Sequence, residues 1–82
     1  MVDLPDPKAR VVGMKQVLRA IEKSNLKSAV IAQDADDYML NKIKSVLEQN
    51  NVPYKNAESM LELGKACGIE VGATVVGELI TV

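Results

Sequence analysis

Histidine, tryptophan and phenylalanine are absent from these 82 residues, cysteine occurs once as Cys67, and the only aromatics are Tyr38 and Tyr54. The missing histidine excludes every scheme built on an imidazole base, and one cysteine excludes disulfide scaffolds and Cys/His zinc sites. The scarcity of aromatics argues against the stacking surfaces of RRM and OB-type domains. No run approaches the roughly 18 apolar residues of a membrane span, and Met1–Arg10 has no apolar stretch of signal-peptide type. The expectation is a cytoplasmic, non-enzymatic chain that needs no cofactor and no metal and does not engage membranes. A single free cysteine fits a reducing compartment.

What is present suits one modest core. The apolar fraction is 48%, ordinary for a globular chain, and Val, Ile, Leu and Ala must fill the interior. The net charge is −1, which speaks against indiscriminate nucleic-acid binding, but its distribution is uneven. Between Lys8 and Lys27 six cations (Lys8, Arg10, Lys15, Arg19, Lys23, Lys27) face the single anion Glu22, a net of +5; the other 4 cations and 10 anions leave −6 elsewhere. A basic face on an acidic body fits a site-specific binder or, equally, a solvated helix face.

Pro5 and Pro7 make residues 1–10 an extended N-terminal arm, leaving 11–82 as one domain. A first helix starts near Gly13 or Met14, with Met14, Val17, Leu18 and Ile21 as its buried stripe and Lys15, Arg19 and Lys23 as an outer ridge. Cations in a first turn oppose the helix macrodipole, so Lys15 is not placed there for stability. Ser28–Gln33 reads as a buried strand. Asp34, Asp36 and Asp37 supply cap and first-turn carboxylates for a second helix; the spacing fits capping better than a metal loop. Met39, Leu40, Ile43, Val46 and Leu47 are that helix's apolar face, and Asn50 and Asn51 end it. Val52–Lys55 is a short strand; Ser59 with Glu62 forms a capping-box pattern opening a third helix that Gly68 closes; Thr74–Val82 is the last strand. Helices alternating with strands give a layered α/β fold around a small sheet.

Two segments stand out. Lys15, Gln16 and Arg19, at a helix start with free backbone N–H groups, combine cations with an amide able to donate and accept. The loop Gly68–Gly72 carries Ile69 and Val71 about Glu70, and its apolar tip either folds back on the core or stands out as a platform for unstacked bases. Cys67, at a helix C-terminus, reads as a packed residue rather than a nucleophile.

The run Leu63-Gly64-Lys65-Ala66-Cys67-Gly68-Ile69-Glu70-Val71 resembles the signature of the kink-turn-binding ribosomal proteins of the L-seven-Ae type. Gly13-Met14-Lys15-Gln16-Val17-Leu18-Arg19, Asp34-Ala35-Asp36 and Val52-Pro53-Tyr54 follow that family's order and spacing, and Lys15-Gln16 in place of Asn-Glu is similar to its small bacterial branch. The resemblance covers roughly Val11 to Val82. It implies a three-layer α/β/α sandwich around a small mixed sheet, and a monomer that grips a kink-turn: a three-nucleotide bulge beside tandem sheared G·A pairs, in ribosomal RNA, a riboswitch or a small ribonucleoprotein.

By that resemblance Gly13 opens the RNA-reading helix, Lys15 and Gln16 meet the guanine edges, and Arg19 pairs nearby. Ile69, Glu70 and Val71 pack on the bulge bases; Asp36 hydrogen-bonds a flipped-out base in a pocket that Leu40 helps to wall. Three departures stand against the family pattern. Lys15 and Gln16 change hydrogen-bond polarity at the guanine edge, Asp37 replaces a usual Pro, and Glu78, where small apolar residues are usual, reads as lying on an exposed edge. The competing class is a protein-interaction or assembly module on the same scaffold.

Overall fold

A computed structural model describes residues 7–69 and 71–80. Four strands, β1 (Arg10–Val12), β2 (Leu26–Ala32), β3 (Tyr54–Ala57) and β4 (Val75–Leu79), form one sheet in the order β1-β4-β2-β3. β4 runs antiparallel to both neighbours and β2 runs parallel to β3, so the sheet is mixed. Three helices complete the fold: α1 (Met14–Glu22), α2 (Asp37–Gln49) and α3 (Met60–Ala66).

Strand alternation decides which helix covers which face. Ala29 and Ile31 of β2 and Val75 of β4 point to one side, where they pack with Val17, Ala20 and Ile21 of α1 and Leu40, Ile43 and Leu47 of α2. Val30, Ala32 and Val76 point to the other side, against Leu63 of α3, Ala57 and Ala73. The result is the expected three-layer α/β/α sandwich. Gly77 lets α1 lie close to the sheet, since a Cβ there would sit 2.5 Å from Leu26 Cδ1 and 3.3 Å from both Val11 Cγ2 and Val17 Cγ2.

All three helices end the same way. The residue after each C-cap has positive φ (Ser24 at 55°, Asn51 at 57°, Gly68 at 77°). The next N–H then reaches back five residues: Asn25 to Ala20 O at 2.9 Å, Val52 to Leu47 O at 2.9 Å, Ile69 to Gly64 O at 3.1 Å. These are Schellman motifs, and in each the left-handed residue's own N–H closes the shorter inner bond.

Several expectations need correction. Residues 7–9 form a 3-10 turn and Arg10 opens β1, so the end of the expected arm is structured; residues 1–6 lie outside the described residues. The third expected strand starts at Tyr54 rather than Val52, because Val52 closes the cap of α2 and Pro53 has no N–H to give a ladder. The last ends at Leu79, with Thr81 and Val82 outside the described residues. Glu78 is not on an edge: β4 has partners on both sides, and the Glu78 carboxylate accepts from Ser28 Oγ at 3.1 Å and lies 3.8 Å from Lys27 Nζ.

Candidate nucleic-acid interface

The mixed topology brings the start of α1, the turn carrying Asp36 and the loop after α3 to one end of the sheet. β1, β2 and β3 all leave the sheet there and β4 enters it. Backbone bonds close that end into a continuous frame. Gly13 N–H donates to Val75 O at 2.8 Å, Ala32 N–H to Thr74 O at 2.9 Å, Gln33 N–H to Ala57 O at 2.9 Å, and Ala73 N–H to Met60 O at 3.0 Å. The start of α1, the turn before α2, the start of α3 and the loop into β4 are thereby held in fixed relation.

The helix starts are not alike. Asp36 caps α2, its Oδ1 accepting from Tyr38 N–H at 2.8 Å, and Ser59 Oγ caps α3 by accepting from Glu62 N–H at 3.0 Å. Asp34, expected at the start of α2, instead takes the Met60 N–H at 2.7 Å and so ties the β2–α2 turn to α3. Gly13, with φ 96°, opens α1 without a side-chain cap, and no acid lies in the first turn. The first-turn N–H groups of α1 therefore remain open to an external acceptor. Lys15, Gln16 and Arg19 are all exposed around them. A first turn without a cap or an acid, and with a cation in it, carries some cost to the helix itself.

The loop after α3 divides into two roles. Ile69, the closing residue of the Schellman motif, packs beside Leu63 and the second core cluster and is half-buried. Val71 is 69% exposed. The loop thus folds back on the core at Ile69 and stands out from it at Val71. The loop is pressed on α3 at Gly64, where a Cβ would collide with the Val71 carbonyl oxygen and lie 3.1 Å from its carbon and 3.2 Å from Gly72 Cα. Glu70 lies outside the described residues.

Asp36 is exposed at this end, whereas Leu40 is in the core with Ile43 and supports α2 from below rather than facing solvent. Cys67 is the half-buried C-cap of α3, and its carbonyl accepts from Arg10 Nη2 at 3.5 Å. Among the described residues no group of three or more His, Cys, Asp or Glu side chains could hold a metal ion, and no helix is long and apolar enough to cross a membrane. Sequence reading passed over Tyr38, 73% exposed in the first turn of α2. The available signal was an aromatic off the Met39–Leu40–Ile43 stripe.

Comparison with known proteins gives a consistent set. The model of the "Ribosomal protein L7Ae/L30e/S12e/Gadd45 family" matches residues 3–81. An "RNA-binding protein" of Halalkalibacterium halodurans is 42% identical over 66 residues, covering 80% of each chain. One of Caldanaerobacter subterraneus subsp. tengcongensis is 38% identical over 74 residues, covering 90% of each. Among solved structures, a "15.5kD RNA binding protein" of Giardia lamblia superposes with a TM-score of 0.81 at 25% identity, over 90% of this chain and 62% of that one. A Bacillus halodurans protein described as of unknown function has the same fold, with a TM-score of 0.81 at 20% identity over 90% of this chain and 74% of that one.

Proposed function

Because this chain belongs to the ribosomal protein L7Ae/L30e/S12e/Gadd45 family, we propose that it is an RNA-binding protein that recognises and stabilises kink-turn elements. The observation that carries the reading is the start of α1: uncapped, free of acids in its first turn, and surrounded by exposed Lys15, Gln16 and Arg19. The names of the Halalkalibacterium, Caldanaerobacter and Giardia proteins, each described as RNA-binding, support the RNA-binding part of it.

In this reading residues 11–82 act as one RNA-binding unit. Lys15 and Gln16 meet the guanine edges of the tandem G·A pairs, and Arg19 contacts backbone or base atoms beside them. Val71 and Glu70 meet the extruded bulge bases, while Ile69 anchors the loop that presents them. Asp36 has one oxygen on Tyr38 N–H, and its second accepts from a flipped-out base; Leu40 backs that position through the core. The chain selects the kinked conformer from a flexible ensemble, and reversing a 1:99 ratio of kinked to extended forms requires roughly a 10⁴-fold preference for the kinked one.

A titration against a kink-turn RNA and against the same RNA with its G·A pairs made Watson–Crick tests the proposal. Much tighter binding to the first is expected; equal affinity for both refutes it. A second reading, as a protein-interaction or assembly module, is favoured by the exposed Leu61 and Val71. Association with a protein partner that survives RNase digestion distinguishes it.

A further inference from the structure

Tyr38 is a surface residue to which neither packing nor the reading above gives a role. It is the most exposed large hydrophobic side chain among the described residues, at 73%. It lies on the side of α2 opposite the buried stripe of Leu40, Ile43 and Leu47. A ring aimed at solvent does not stabilise the core. The other tyrosine shows the contrast: Tyr54 packs against the core, and its hydroxyl donates to Glu48 at 3.2 Å.

The setting of Tyr38 points to a ligand. Its N–H is held by Asp36 Oδ1 at 2.8 Å, which fixes the backbone and leaves two side-chain torsions to order on binding. One turn on, Lys42 is exposed on the same outer side and borders the groove between α2 and α1 with Leu18 and Glu22. An aromatic face and an ammonium one turn apart complement a nucleotide, the ring taking the base and the cation the phosphate. The neighbouring charges fix the orientation. Asp36 and Asp37 are exposed beside Tyr38 and repel a phosphate placed over the first turn, but they admit a neutral base. Asp36 and Asp37 thus favour a nucleotide with its base at Tyr38 and its phosphate toward Lys42.

We propose that Tyr38 and Lys42 form a stacking platform for an unpaired nucleotide on the outer face of α2. The inference rests on the RNA-binding reading and extends that surface from the loop end of the sheet along the α1–α2 layer. It adds a base contact separate from the bases assigned to the loop after α3.

Tyrosine emission tests it directly. The chain has no tryptophan, so in the Tyr54→Phe variant Tyr38 is the sole fluorophore. A dye-labelled kink-turn RNA with single-stranded flanks is titrated into this variant, with anisotropy reporting binding and tyrosine emission reporting stacking. Saturable binding with quenched emission is expected. Tyr38→Phe should hold affinity within about threefold, whereas Tyr38→Ala should lose roughly tenfold or more, the usual scale for one stacked base. Lys42→Ala should lower the salt slope of binding by about one. Saturable anisotropy with unquenched emission and an unchanged affinity for Tyr38→Ala overturns the platform but leaves RNA binding standing. No anisotropy change with the unmodified chain overturns the RNA reading itself, and the platform with it. If Tyr38→Ala impairs only association with a protein, the face is a protein surface and the proposal is wrong.

Discussion

Replacing Gly64 by Ala tests whether the loop after α3 is held against the helix. On local grounds the change is favourable, because Ala is better than Gly in a helix interior by about 1 kcal/mol. The structure reverses that sign. The new Cβ would collide with the Val71 carbonyl oxygen, with the carbonyl carbon at 3.1 Å and Gly72 Cα at 3.2 Å. These are backbone atoms and cannot rotate aside. The loop has little room to retreat, because Gly72 is already against Met60 and Ala73 N–H is bonded to Met60 O at 3.0 Å. Overpacking of this kind costs about 1–3 kcal/mol, so Gly64→Ala should be destabilising despite its helix propensity. Urea denaturation should show a lower midpoint with an unchanged slope, and thermal unfolding a melting temperature lower by several degrees, since about 1 kcal/mol corresponds to roughly 4–8 °C in a chain of this size. RNA affinity should fall as well, because Val71 is displaced. An Ala variant as stable as the parent would refute the close approach of loop and helix.

Four further outcomes are expected. Ser24→Gly should stabilise by about 0.5–1 kcal/mol, because Ser24 holds φ 55° in the cap of α1 where glycine is unstrained; a lower melting temperature would contradict this. Ser59→Ala should cost about 1 kcal/mol in urea unfolding through loss of the bond to Glu62 N–H, and an unchanged midpoint would remove the cap from the account. Ile69→Asp should lower stability, since Ile69 packs on the second cluster, whereas Val71→Asp should leave the midpoint within about 0.5 kcal/mol and weaken RNA binding. Circular dichroism with parallel titration separates the two, and the reverse pattern would invert their assigned roles. Lys15→Ala and Arg19→Ala should each weaken RNA binding by about 1–3 kcal/mol without lowering the melting temperature, which for Lys15→Ala should rise slightly as the first turn loses its unfavourable cation; affinity equal to the parent would detach the start of α1 from recognition.

Periodic features were legible in the sequence, and isolated ones were not. The stripes of α1 and α2, the cap Ser59 and the terminating Gly68 follow from spacing alone, because each is a local pattern within one or two turns. β1 was not, since three residues next to a Pro-containing segment carry no alternation, and the strand exists through its pairing with β4. Asp34 looked like a cap for the helix three residues ahead, yet it bonds Met60 N–H, 26 residues away; only tertiary placement decides between two helix starts. Glu78 was misread for the same reason, because strand order, and hence edge or centre, is not written in a strand's own residues. In the site, the sequence supplied the two segments and the structure supplied the frame that joins them through Val75, Thr74 and Ala32. It also separated Ile69 from Val71, kept Leu40 in the core where its helical spacing had placed it, and brought forward Tyr38.

The proposed function is selection of a kinked RNA by the open start of α1 and the loop beside it. Its most direct test is energy transfer between dyes on the two stem ends of a kink-turn RNA, in buffer where the free RNA is extended. Adding the chain should raise transfer to the level of the kinked form at saturation, and Lys15→Ala should shift the midpoint to higher protein concentration. Binding that reaches saturation with no rise in transfer would contradict the account.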